Sequence, residues 1–207
     1  MNKQGKHDRR FRRAAVLGAG VMGSGIAAHL AGAGLDVLLL DIVPPDLAPA
    51  AATDKKARNR FAAGGVDRLR TSKPSLIFHQ RDLERIRVGN LEDDLAEAAK
   101  ADIVIEAVRE DLNVKQALFA KMEPLLGAQT VLASNTSGLP IGKLMAGRSA
   151  DMRRRFLVTH FFNPVRYMRL LELVSGEDTD PQVMCQIAGF GETQLGKGIV
   201  YGKDTTN

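Results

Sequence analysis

Ala14-Ala15-Val16-Leu17-Gly18-Ala19-Gly20-Val21-Met22-Gly23-Ser24-Gly25-Ile26-Ala27-Ala28-His29-Leu30-Ala31-Gly32 decides the architecture of this chain. Residues 14–18 form a short apolar run that stops at a glycine, the pattern of a buried strand. Residues 21–32 are small and apolar, as in a helix pressed closely onto a flat surface. A second apolar run, Asp36-Val37-Leu38-Leu39-Leu40, follows at once. Strand, helix and strand in so short a span require a parallel pair joined by a right-handed crossover. The three glycines at 18, 20 and 23 have separable roles. Gly18 permits the tight turn out of the strand, Gly20 leaves the backbone bare, and Gly23 lets helix and strand approach.

A G-x-G-x-x-G string has little force alone; its context here gives it meaning. It leaves a strand, opens a helix, and is followed by Asp41, which lies 23 positions after Gly18, close to the spacing of about 20 expected of a dinucleotide site. The helix N-terminus, at Gly20, Val21 and Met22, offers free N–H groups and the positive end of the helix dipole to a pyrophosphate. Asp41 can accept the ribose hydroxyls of an adenosine and would repel a 2′-phosphate, so NAD is expected over NADP.

Beyond residue 41 the rhythm breaks and then resumes. Pro44, Pro45 and Pro49 interrupt the chain. Residues of about 46–90 read as a basic helical excursion outside the sheet. Strands are then expected at 102–106, 130–133, 156–160, 170–174 and 198–201. Helices are expected at 111–125, after Pro140 and after Pro181. Alternating strands and helices mean an α/β fold with helices on both faces of a mostly parallel sheet.

Composition excludes several classes. The chain has 207 residues, 44% hydrophobic and 26% charged, enough for a single sizeable core. No apolar run approaches the roughly 18 residues that cross a bilayer. The first residues lack the apolar stretch of a secretory signal, so a cytoplasmic location is expected. One cysteine, Cys185, excludes an internal disulfide and a Cys-rich zinc site; it reads as a small buried hydrophobe, and no metal is expected. The net charge of +5 is confined to one end. Without residues 1–13 the chain carries 23 basic and 23 acidic side chains. A flexible basic tail over 1–13 is therefore expected, ahead of a single domain over 14–207. That tail either touches an anionic surface or is merely solvated. With no Trp and two Tyr, a stacking surface for nucleic acid is not evident.

From 14 to 207 the chain resembles the NAD-binding domain of the 3-hydroxyacyl-CoA dehydrogenase family of fatty-acid β-oxidation. The resemblance is carried, in order, by VLGAGVMGSGIAAHLAGAG, VLLLDI, IVIEAVRED, ASNTSGLPI, THFFNP and LLELV. The stretch PSLIFHQRDLERIRVGNLEDDL is most like the long bacterial members. The resemblance implies a Rossmann-type, doubly wound fold and NAD-dependent oxidation of (S)-3-hydroxyacyl-CoA to 3-ketoacyl-CoA. It puts Gly18, Ala19, Gly20, Val21, Met22, Gly23 and Asp41 on NAD. It sets Glu110 and Lys115 beside the ribose and nicotinamide, and Ser137 and Asn163 near the nicotinamide and the substrate hydroxyl. His160 becomes the catalytic base and Glu172 its partner. The residues themselves agree: His160 ends an apolar strand, and Glu172 among leucines needs a partner. Arg68, Lys55 and Lys56 in the excursion either contact coenzyme A phosphates or form a solvated charged face. Asn135 and Ser137 would otherwise serve as a turn before Pro140, Glu106 as a strand-end acid, and His29, Met22 and Met168 as packing.

Family members continue beyond the segment Lys203-Asp204-Thr205-Thr206-Asn207 into a helical domain that covers the acyl-CoA and carries much of the dimer contact. The expected partners are therefore acyl-CoA, that C-terminal helical domain of the same polypeptide and a second copy in a homodimer, with neither nucleic acid nor membrane. Two alternatives stay open: another β-hydroxy-acid or sugar-nucleotide dehydrogenase, which would usually rely on a catalytic Lys or Cys, and a catalytically silent NAD(H)-binding module.

Overall fold

The computed structural model describes residues 10–204. Eight strands form one sheet: β1 (Arg13–Leu17), β2 (Asp36–Asp41), β3 (Ile86–Asn90), β4 (Ile103–Glu106), β5 (Val131–Ser134), β6 (Phe156–Phe161), β7 (Leu170–Ser175) and β8 (Gly198–Gly202). Their order is β3-β2-β1-β4-β5-β6-β7-β8. The first six run parallel, as expected of a doubly wound sheet. β7 then turns back antiparallel on β6, and β8 runs parallel to β7.

Period-two alternation sorts the strand residues between two helical layers. Val16, Val37, Leu39, Ile103, Ile105, Leu171 and Leu173 pack with α1 (Val21–Gly32), α3 (Arg60–Thr71) and α8 (Pro181–Thr193). Ala15, Leu38, Leu40, Val104, Leu132 and Val158 pack on the opposite face with α4 (Leu95–Ala98), α5 (Leu112–Met122), α6 (Ile141–Leu144) and α7 (Ala150–Arg154). A short helix, α2 (Lys55–Arg58), completes the set.

Four expectations need correction. The excursion is shorter than 46–90, because Ile86–Asn90 is a strand paired in register with β2 from Val37↔Ile86 to Asp41↔Asn90. Its alternation is interrupted by the glycine at 89, and its place at the sheet edge leaves Arg87 exposed. The body starts before residue 14: Phe11 is buried against Phe190, with ring centroids 4.6 Å apart, and the Gln194 side chain bonds both its N–H and its carbonyl. The backbone amides of Arg12 and Arg13 donate to the Asp102 carboxylate. The remainder of the expected tail, residues 1–9, lies outside the described residues. Cys185 is exposed on α8, because Val183 and Ile187 take the buried positions of that turn. Met168 is also exposed, on the loop between β6 and β7, whereas Met22 packs on the core. No described helix is long and apolar enough to cross a membrane.

Candidate active site

The carboxyl ends of the parallel strands gather the site, as the geometry of open α/β sheets requires. Gly18 adopts φ +101°, and a Cβ there would lie 2.5 Å from the Ala107 carbonyl. A Cβ on Gly23 would lie 1.7 Å from the Gly18 carbonyl, so the helix start can sit on the turn only with glycine at 23. Nothing lies within 4 Å of the corresponding position at Gly20. Helix α1 begins there without a side-chain cap, leaving its first amides for a ligand. This bare cradle fits a pyrophosphate. Asp41, at the end of β2, accepts the Ala19 N–H at 2.7 Å on one oxygen and the Ile42 N–H at 2.7 Å on the other. It thus ties the glycine turn to β2, and each oxygen keeps a lone pair for a ribose hydroxyl.

Arg68 lies on the same turn: its guanidinium donates to the Ala19 carbonyl at 2.6 Å. Helix α3 comes this close because Gly65 faces Ser24 and Ala19, where a Cβ would meet the Ser24 hydroxyl at 2.6 Å. Lys55 and Lys56 are exposed on α2, and among the described residues no hydrogen bond joins them to the cradle. The neighbouring Arg58 is engaged with Glu92 and Asp93.

Between the ends of β4 and β5 lies a buried polar network. Glu106 is fully buried, and its carboxylate accepts the Val108 N–H at 2.7 Å, the Ser134 hydroxyl at 2.5 Å and the Lys115 ammonium at 2.6 Å. Lys115, only 1% exposed, also reaches Glu110 at 3.1 Å. Glu110 accepts the Thr136 hydroxyl and, at 3.2 Å, the Ser137 amide. Burial would raise the Glu110 carboxyl, but these donors and Lys115 outweigh it and hold it below the usual carboxylate range. Lys115 therefore faces two carboxylates rather than solvent, and the network fixes the loop that carries the exposed Ser137.

His160 stands directly opposite Glu172 in the β6–β7 register, with Nδ1 3.1 Å from the carboxylate. The reversal of β7 is what returns Glu172 to this point. A carboxylate only accepts, so the bond requires the proton on Nδ1 and leaves Nε2 as the basic nitrogen. Phe162 packs on the imidazole with ring centroids 4.3 Å apart. Gly202 makes room for Glu172, since a Cβ there would lie 2.7 Å from its Oε1. A cavity of about 170 Å³ opens at Glu172, bordered also by Ser137, Leu139, Val158 and Lys203. Asp204 also lines it and accepts the Ile141 N–H at 3.0 Å. Asn163 is exposed on the loop following β6.

Sequence reasoning passed over Gly202, Thr136, Asp204 and the anchoring role of Glu106. Only Glu106 carried a local signal, an acid closing an otherwise apolar run.

The chain matches the family described as 3-hydroxyacyl-CoA dehydrogenase, NAD binding domain, over residues 13–205. It is 43% identical to a probable 3-hydroxyacyl-CoA dehydrogenase of Bacillus subtilis, over 95% of this chain and 26% of that protein. It is 45% identical to a protein of the same description from Deinococcus radiodurans, over 94% of this chain and 54% of that one. The crystal structure of 3-hydroxybutyryl-CoA dehydrogenase from Escherichia coli K12 superposes with a TM-score of 0.74 at 33% identity, covering 95% of this chain and 39% of that one. The chain thus spans about a quarter to a half of the curated relatives it matches. A bare glycine cradle, an acid closing the second strand and a family match over nearly the whole length agree, and the chain belongs to the NAD-binding domain family of the 3-hydroxyacyl-CoA dehydrogenases.

Proposed function

We propose that this chain is the cofactor-binding and proton-transferring part of an NAD-dependent 3-hydroxyacyl-CoA dehydrogenase of fatty-acid β-oxidation, acting in the cytoplasm. The observation that carries the reading is the His160–Glu172 contact of 3.1 Å, whose carboxylate borders an open cavity. Gly18 to Gly23 and Asp41 hold the adenosine diphosphate half of NAD, and Glu110, Ser137 and Asn163 face its nicotinamide half. Bound NAD supplies the hydride acceptor for carbon 3 of the substrate. His160 Nε2 takes the hydroxyl proton as the carbon–oxygen double bond forms, and Glu172 stabilises the resulting imidazolium. Ser137 and Asn163 orient the reacting oxygen. Lys115 acts through Glu110. Lys55 and Lys56 remain the candidates for coenzyme A phosphates, while Arg68, already on the Ala19 carbonyl, supports the cradle. A C-terminal helical domain and a second copy complete the assembly in this reading.

The test is NADH formation from a short (S)-3-hydroxyacyl-CoA, by the chain alone and by the chain fused to the C-terminal portion of its Bacillus subtilis relative. In the fusion, His160→Ala should lower turnover by roughly 10²–10⁴, the range for a lost general base. Glu172→Gln should lower it less, and neither change should alter NADH affinity. The chain alone should turn over about 10²-fold more slowly than the fusion, because displacing a reacting group by about 1 Å costs that much. Retention of most activity by His160→Ala refutes the assignment.

A further inference from the structure

We propose that Lys197 is a positioning residue: buried beneath the 162–169 loop, it holds that loop, and with it Asn163, in the arrangement that receives the nicotinamide end of the cofactor. This rests on the role given to Asn163 above.

The loop joins β6 to β7 and so links the two strands that carry His160 and Glu172. Lys197, just ahead of β8, is 5% exposed, and its ammonium donates to the Val165 carbonyl at 2.5 Å and the Met168 carbonyl at 2.7 Å. Among the described residues no carboxylate pairs with it. A buried ammonium without a counter-charge is expensive, and an apolar side chain of similar length would serve packing better. What the cation supplies is two charge-assisted bonds to one turn of backbone.

Other contacts hold the remaining sides of the loop. Val165 is buried over Gly25 of α1, where a Cβ would lie 3.2 Å from its methyl. The Arg166 guanidinium donates to the Ser75 and Ile77 carbonyls and lies 4.4 Å from the Phe78 ring centroid. The Tyr167 hydroxyl donates to the Ser75 carbonyl at 2.9 Å. The charged or titratable groups around this loop are Lys197, His29 from α1, and Arg166, Tyr167 and Arg169 from the loop itself. Burial brings Lys197 down to about 8, and His29 is neutral above about 4. Of the two buried groups, Lys197 changes charge on the alkaline side of neutrality and His29 on the acid side.

The experiment uses the chain itself, Lys197→Met and Lys197→Arg. Hydrogen exchange of the 162–169 amides, corrected for intrinsic rates, reads the clamp without cofactor. NADH titration by fluorescence reads affinity and, separately, the emission yield of the bound nicotinamide. In the unsubstituted chain, loop protection and emission yield should fall together as pH rises through about 8. Affinity should change by no more than about tenfold, the worth of one strong hydrogen bond, since the cradle and Asp41 are untouched. Lys197→Met should show the loose loop and low yield at every pH, with an unchanged or higher melting temperature. Lys197→Arg should keep the tight loop above pH 8. If arginine does not seat, its melting temperature falls, and the pH profile of the unsubstituted chain decides. Unchanged protection and yield in Lys197→Met, or a flat profile in the unsubstituted chain, overturns the proposal. Absence of NADH binding in every form would instead remove the cofactor reading, with exchange still deciding whether Lys197 clamps the loop.

Discussion

Acidification should weaken this domain in a way that one residue makes measurable, on the far side of the sheet from His160 and Glu172. His29 of α1 is 6% exposed, its Nε2 donates to the Leu195 carbonyl at 3.0 Å, and its Nδ1 has no partner. A second proton would place a charged N–H where nothing receives it. Burial first, and the nearby Lys197 charge second, lower its pKa from 6.5 to about 4. The unfolded chain therefore takes up a proton below 6.5 that the folded chain refuses until about 4. The stability this provides is complete above 6.5 and is lost as pH falls from there to 4. At about 1.4 kcal/mol for each pH unit, the loss is about 3 kcal/mol. The assay is urea unfolding followed by circular dichroism across that range, for the unsubstituted chain and His29→Gln, whose amide nitrogen keeps the bond to Leu195. Carboxylates such as Glu110 titrate in both proteins and cancel in the difference. The advantage of histidine over glutamine should shrink by about 3 kcal/mol between the two pH limits. A difference that stays constant with pH refutes the reasoning.

Asp41 should make NAD(H) bind at least tenfold tighter than NADP(H), about 1.4 kcal/mol. Asp41→Ala should narrow that gap while weakening both cofactors, because the Ala19 N–H also loses its acceptor; equal affinities in the unsubstituted chain count against this role. Gly23→Ala should cost at least about 3 kcal/mol, the upper end of overpacking penalties, because the obstacle is backbone. Its thermal melt should shift accordingly and NADH binding should disappear, and a variant that melts normally and binds NADH contradicts so close an approach of helix and turn.

The glycine turn and the acid closing β2 were legible in the sequence because each requirement there is local. Gly18 and Gly23 are demanded by backbone approach, Gly20 leaves its surroundings open, and Asp41 stands out by its place at a strand end. His160 and Glu172 were legible for a different reason, since polar residues in apolar runs stand out. What escaped was held by long-range packing. Phe11 is one aromatic among arginines, and nothing nearby announces Phe190 as its partner. β3 hid because Gly89 breaks its pattern and its edge position tolerates Arg87. Lys197 sits between two glycines at a strand entrance, and only the fold reveals the carbonyls above it. Arg68 was read as a candidate for a substrate phosphate, and the fold instead sets it on the Ala19 carbonyl, 49 residues back in the chain.

The reversal of β7 has a consequence for how His160 and Glu172 are kept aligned. Leu171 and Leu173 are buried on one face of that strand, at 1% and 0% exposure, and Glu172 therefore faces the other. Sliding β7 by one residue would turn both leucines to the wrong side, a cost far above any contact Glu172 makes. The core thus acts as a gauge that indexes Glu172 to His160, and the distance between them is set by oil rather than by charge. The loop between the strands can then change length without disturbing the pair, and a substitution at Leu173, which lies on the opposite face of the strand, would shift Glu172 relative to His160.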